Sequence, residues 1–171
     1  MSKIKVENGY NLFSPRYKSP FKYKDKEFFN VYQFMLYCQT NNAGLKEEAI
    51  DILNARNNQK LYELDKYNKK GLKGFRDSFK NGKLSENLSE YLKVGMREKY
   101  RQNPDLMKEL MAINVKDIDF KEGVFNSDIN KAFKEGLQKA VEQIKIEQEL
   151  SLMNDKYDNA AKTKLKSKKL K

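Results

Sequence analysis

"NVYQFMLYCQ", Asn30 to Gln39, is the stretch whose reading decides the fold. Val31, Phe34, Met35, Leu36, Tyr37 and Cys38 crowd together without leaving a polar side, so the segment reads as a helix covered on several faces, running to about Asn41. Asn30 is a good N-cap, because its short side chain can accept from an orphan amide of the first turn. "NNAG" ends the helix.

Upstream, residues 4–29 read as extended structure and turns. "IKVEN" alternates, "NG" marks a turn, and Pro15 and Pro20 bracket a loop. "FKYKDKEFF" alternates aromatic and charged residues around a turn-like "KDK", as a β-hairpin or one half-buried strand pair would. Downstream, "LKEEAIDILNA" puts Leu45, Ala49, Ile52 and Leu53 on one helical face, and "NQKLYELDKYN" suggests a shorter helix. "KKGLKGFRDSFKNGKL", residues 69–84, reads as loop with a helical turn. "SENLSEYLKVGMREKYRQ" is the best helix, Ser85 to about Gln102, with Leu88, Leu92, Gly95, Met96 and Tyr100 (or Lys99) on one stripe. Asn103, Pro104 and Asp105 form a second helix start, with Leu106, Leu110 and Ile113 inward. "NVKDIDFKEGVFNS" reads as a short strand and turn. A long final helix follows, with Ile129, Phe133, Leu137, Val141, Ile144 and Leu150 at three- and four-residue steps. The pattern stops near Asn154. The expected fold is therefore a mainly helical α+β domain with a small N-terminal β element, over residues 1–154, and a basic disordered tail over 155–171.

Composition narrows the chemistry. The 171 residues contain no histidine, no tryptophan and one cysteine. Ser–His and Cys–His nucleophile pairs, imidazole metal ligands and internal disulfides are excluded, leaving carboxylates, Lys and Tyr for any acid–base work. Cys38 sits in an apolar run and reads as an inert buried thiol. No phosphate loop, CxxC or acidic metal cluster occurs, so no cofactor or metal is expected. Glu47 and Glu48 read as ordinary acids on an exposed helix start. The absence of an apolar span argues against the membrane, and "MSKIKVENGY" lacks a signal-peptide core. A cytoplasmic location is the expectation, in a host cytoplasm or virion if the protein is viral, which the lysine- and asparagine-rich composition would suit.

The net charge is +11, and the six lysines of the last ten residues account for more than half of it. Lys162, Lys164, Lys166, Lys168, Lys169 and Lys171 are candidates for salt-sensitive attraction to nucleic acid or another polyanion, against the plainer reading of a solubilising terminus. The first quarter interleaves Phe13, Tyr17, Phe21, Tyr23, Phe28 and Phe29 with Arg16, Lys18, Lys22 and Lys24. That texture could stack bases, but it is also what a hairpin packed on a helix looks like.

"FSPRYKSPFKYKDKEFFNVYQFMLYCQ" resembles the opening signature of the NADAR, or YbiA-like, family. That signature runs F-S-N-F-Y-x-S-P-F, a short hairpin, then S/T-V-E-Q/H-Y/F-M/F with a lysine seven residues after the glutamate. Phe13, Ser14, Tyr17, Ser19, Pro20 and Phe21 fit it, as do Lys26, Phe28, Val31, Gln33, Phe34, Met35 and Tyr37. "VGMREKYRQNPDLMKELMAI" resembles the family's later helix pair, and the likeness covers roughly residues 10–113. It implies an N-glycosidase fold acting on ribosyl–base bonds, through an oxocarbenium-like state that a carboxylate must stabilise.

Carried across position by position, that chemistry is missing. Tyr32 stands at the glutamate and Gln39 at the lysine. Leu84 falls near the usual tryptophan, and the downstream glutamate falls near Phe120. A phenol with a pKa of about 10 cannot replace a carboxylate. Lys99 keeps a family lysine, although a lysine before a core aromatic ordinarily lies at the surface. No catalytic residue is assigned. Ser14, Tyr17, Tyr32, Gln33, Gln39 and Lys99 are the positions of a degenerate pocket. The expectation is a catalytically inactive NADAR-like module for a protein or nucleic-acid partner. The alternatives are an active N-glycosidase with rearranged groups, and a pseudoenzyme that still binds ADP-ribose or a nucleotide.

Overall fold

The computed structural model describes residues 3–66 and 85–169. It is α+β and mostly helical, with small strands and one long C-terminal helix. The 69–84 stretch, Leu84 included, and Lys171 lie outside the described residues.

The N-terminal β material forms two separate pairs. β1 (Ile4–Val6) lies parallel to β4 (Ile118–Phe120), with Ile4 opposite Ile118 and Val6 opposite Phe120. β2 (Phe21–Tyr23) and β3 (Lys26–Phe28) form the expected antiparallel hairpin, Phe21 opposite Phe28. Its two turn residues, Lys24 and Asp25, both have positive φ, 47° and 66°. That is the handedness a two-residue hairpin loop needs to match strand twist.

Helix α1 (Val31–Asn42) is the enclosed centre. Asn30 caps it, its side chain accepting from the Gln33 amide at 2.9 Å. Every residue from Val31 through Leu36 is buried. Phe34 meets Phe21, Tyr23 and Phe28 edge-on at centroid distances of 5.1 to 5.6 Å, so the aromatic crowding of the first quarter is largely core. Helices α2 (Lys46–Asn54) and α3 (Asn58–Lys66) follow, with Ala49, Ile52 and Leu61 inward.

Helix α4 (Ser85–Arg101) buries Leu88, Leu92, Met96, Lys99 and Tyr100. Gly95 is needed where α4 meets α1: a Cβ there would stand 2.8 Å from Phe34 Cδ1. Helix α5 (Pro104–Met111) starts on Pro104 as read from the sequence. Asn103, however, makes no cap bond. Its side-chain amide donates to Lys99 O at 2.7 Å and Pro20 O at 3.0 Å, tying the hairpin to the end of α4. A 3-10 turn (Val115–Asp117) leads into β4.

Helix α6 (Ser127–Lys169) is 43 residues long, about 65 Å at 1.5 Å per residue. Its first half packs along α4, and Gly136 lets them approach: a Cβ there would be 2.6 Å from Leu92 Cβ. Ile144 is its last buried residue, and everything described from Gln148 to Lys164 is exposed. Two expectations are corrected. Leu150 is not core, being 54% exposed, and the helix does not end near Asn154. Apolar periodicity reports packing rather than helicity, and Ala160, Ala161 and the lysines are good helix formers that carry the backbone on without contacts. No helix among the described residues is long and apolar enough to cross a membrane.

Candidate functional site

The turn over Phe13–Tyr17 is where most candidate positions meet. It is built from short-range bonds: the Ser14 amide to Asn11 O at 2.9 Å, the Tyr17 amide to Ser14 O at 3.1 Å, and the Arg16 amide to Ser14 Oγ at 3.0 Å. The start of α1 closes on it from one side, the Tyr32 amide donating to Pro15 O at 2.9 Å and Asn30 Nδ2 to Arg16 O at 3.0 Å. Asn58 Nδ2 donates to the same carbonyl at 2.9 Å.

Lys99 enters from α4. It is 1% exposed, not at the surface, and its Nζ donates to Leu12 O at 2.7 Å and Ser14 O at 3.1 Å. The Tyr17 and Tyr100 rings lie 5.8 and 5.0 Å from the ammonium position. Burial away from water pulls its pKa from the ordinary 10.5 down to about 7, with nearby Glu122 opposing the shift. Burial also raises the Tyr100 hydroxyl well above the usual phenol range.

Glu122 enters from the end of β4. Its side chain is shielded from solvent, and Oε1 accepts from Arg16 Nε at 2.8 Å and Ser14 Oγ at 2.9 Å. Oε2 has no partner among the described residues. Asn130 of α6 fixes the Glu122 backbone, accepting from its amide at 3.0 Å and donating to its carbonyl at 3.2 Å. Sequence reasoning set the family's second glutamate near Phe120 and so passed over Glu122, two positions on. The only available signal was topological: pairing β1 with β4 carries Glu122 against the turn that follows β1.

Tyr32 is 1% exposed and packs edge-on against Phe125 at 5.3 Å. Its hydroxyl donates to Asp65 Oδ2 at 3.0 Å. Phe125 in turn lies 5.6 Å from the Arg16 guanidinium carbon, which links Tyr32 to the Glu122 cluster. The neighbourhood therefore contains two buried carboxylates, Asp65 and Glu122, that reading the family positions alone did not supply. Asp65 follows the apolar register of α3 and carries no local mark of its role.

The remaining candidates stand apart. Gln33 is consumed by backbone: Oε1 accepts from the Phe29 amide at 2.8 Å and Nε2 donates to Ile52 O at 3.0 Å, binding the hairpin and α2 to α1. Gln39 is buried near the end of α1, its Oε1 without a partner among the described residues. Glu48 is not on an open helix start but 7% exposed, with Oε1 also unpartnered there. The Cys38 thiol is pushed up to about 12 by burial, against the pull of Lys24, and stays protonated. No cluster of three metal-ligating side chains occurs among the described residues. Lys162 and Lys164 are exposed on α6. Lys166, Lys168 and Lys169 fall within the same helix.

A buried carboxylate beside an amine with a lowered pKa could in principle exchange protons. Here both are shielded and hold a turn in place, though an open cleft of about 480 Å³ lined by Glu122, Gly123, Phe125, Asn130 and Lys134 lies alongside. Comparison with protein-family models, with curated proteins and with solved structures finds no match.

Proposed function

We propose that this chain is a NADAR-like domain without N-glycosidase activity that works as a binding module, its basic C-terminal helix contacting nucleic acid. The observation that carries the first half is Tyr32. At the position of the family's glutamate stands an uncharged ring, buried against Phe125 and donating to the Asp65 carboxylate, so the space for a ribosyl oxocarbenium is filled by a phenol. Ser14, Gln33 and Lys99 are likewise committed to protein partners.

The second half rests on charge. The lysines recur at nearly every second position from Lys162, a dense run of positive charge. Such an arrangement suits phosphate-backbone contact without base readout. Incubating the purified chain with DNA carrying ADP-ribosylated guanine should release no ADP-ribose. Duplex DNA should bind the full chain with an affinity that falls steeply with salt, and deletion of residues 162–171 should abolish most of it. Turnover above background would overturn the first half, and unchanged affinity after deletion the second.

Glu122 favours one other reading, an N-glycosidase with relocated groups. Its Oε2, without a partner among the described residues and beside the cleft, belongs to the carboxylate such an enzyme would use. In that case release of ADP-ribose would be seen, and Glu122→Gln would remove it at temperatures where circular dichroism still shows the variant folded.

A further inference from the structure

We infer that the outer half of α6 is a self-association surface, on which two copies of this chain pair antiparallel. Ile146, Leu150, Met153 and Tyr157 are 56%, 54%, 65% and 77% exposed, and steps of four, three and four residues place them in one line. That is the seam spacing of a two-helix coil. It is not the core stripe running on. Continuing the inward direction of Leu137 and Ile144 leads to Gln148, Ser151 and Asp155, all polar and exposed. The outer seam is turned by about 160° from that direction at 3.6 residues per turn. One stripe ends where the domain ends, and a second begins on another side of the same helix.

Charge selects the occupant and its direction. Beside the seam, the domain-proximal part carries Glu149 and Glu147, the latter 3.6 Å from Arg101 of the same chain, and the distal part carries Lys156. With Leu150 set against Met153 of a second copy and Ile146 against its Tyr157, an antiparallel pair brings Glu149 beside Lys156 of the other copy, twice by symmetry. Lys164, two turns beyond Tyr157 on the same line, then lies beside the exposed Glu142 on the other copy's α6. A parallel pair would match Glu149 with Asn154 and lay the two lysine ends side by side. A second copy of this chain, head to tail, is therefore the complement the seam already carries. The overlap from Ile146 to Tyr157 is about 18 Å, short enough for a reversible dimer.

Sedimentation equilibrium of the full chain at moderate salt tests this. A concentration-dependent dimer is expected, with Leu150→Glu combined with Met153→Glu giving monomer. Glu149→Lys and Lys156→Glu should each weaken the dimer about tenfold, since each sets like charges together twice. An equimolar mixture of the two should recover native affinity, because both facing pairs become opposite in charge. All four positions are exposed, so circular dichroism should match the native chain. A native chain that stays monomeric at high concentration overturns the inference, as does a dimer indifferent to the seam variants. Failure of the mixture to recover affinity overturns the antiparallel arrangement.

Discussion

Helix α1 and the outer half of α6 have opposite relations to the rest of the molecule. α1 contains no charged residue, and its first six residues are enclosed by the hairpin, α2, α4 and the Phe13–Tyr17 turn. The outer half of α6 is exposed at every described position from Gln148 to Lys164 and is densely charged. The first is held by its neighbours, whereas the second is held by intrinsic propensity and by continuity with a docked half that supplies the nucleus. The difference bears on function: Tyr32, Gln33 and Lys99 are taken up by packing and internal hydrogen bonds, while the exposed charged chemistry lies where packing is absent.

The largest test of that contrast is Phe34→Ala. It removes the ring at the centre of the hairpin cluster and should cost about 3–5 kcal/mol, read from the urea midpoint. Tyr32→Phe removes only the hydroxyl bonded to Asp65. It should cost about 1–3 kcal/mol, because a buried carboxylate loses a donor. A neutral result would mean that Tyr32 is less committed to the core than its burial indicates.

Lys99 extends the contrast to a charged side chain treated as core. The unfolded chain keeps this proton up to about 10.5, whereas the folded chain releases it near 7. Unfolding therefore takes up a proton between those values, and stability should rise with pH across that window and carry the full burial penalty below it. Lys99→Met should flatten the slope between pH 7 and 9 in urea titrations. The smallest effect belongs to the exposed helix: Met153→Ala should change monomer stability by less than about 0.5 kcal/mol, measured dilute.

Much of the helical layout was legible. Asn30 as cap, the start on Pro104 and the inward stripe of Ser85–Arg101 follow from local rules of capping and periodicity, which act within one or two turns. The hairpin was legible because its turn and both strands are contiguous. What was not legible is non-local. Nothing in "IKV" or "IDF" announces a parallel partner, so Glu122 could not be placed beside Ser14 and Arg16, and Lys99 could not be seen entering the turn. Glu48 and Leu150 were misjudged in opposite directions: the preference for acids in a first turn and the apolar periodicity of a helix are both local, and neither says whether another element covers the residue.

The β1–β4 pair joins Ile4 to Ile118, spanning most of the domain's chain in three residues a side. Closing so long an interval costs entropy that two three-residue strands cannot repay until the helices between them have collapsed. This clasp should be the final event in refolding and the first to open in the native state, so amide exchange at Ile4–Val6 should outpace that within α1. The turn that carries Ser14 would then be assembled only at the end, as a latch on a body already formed.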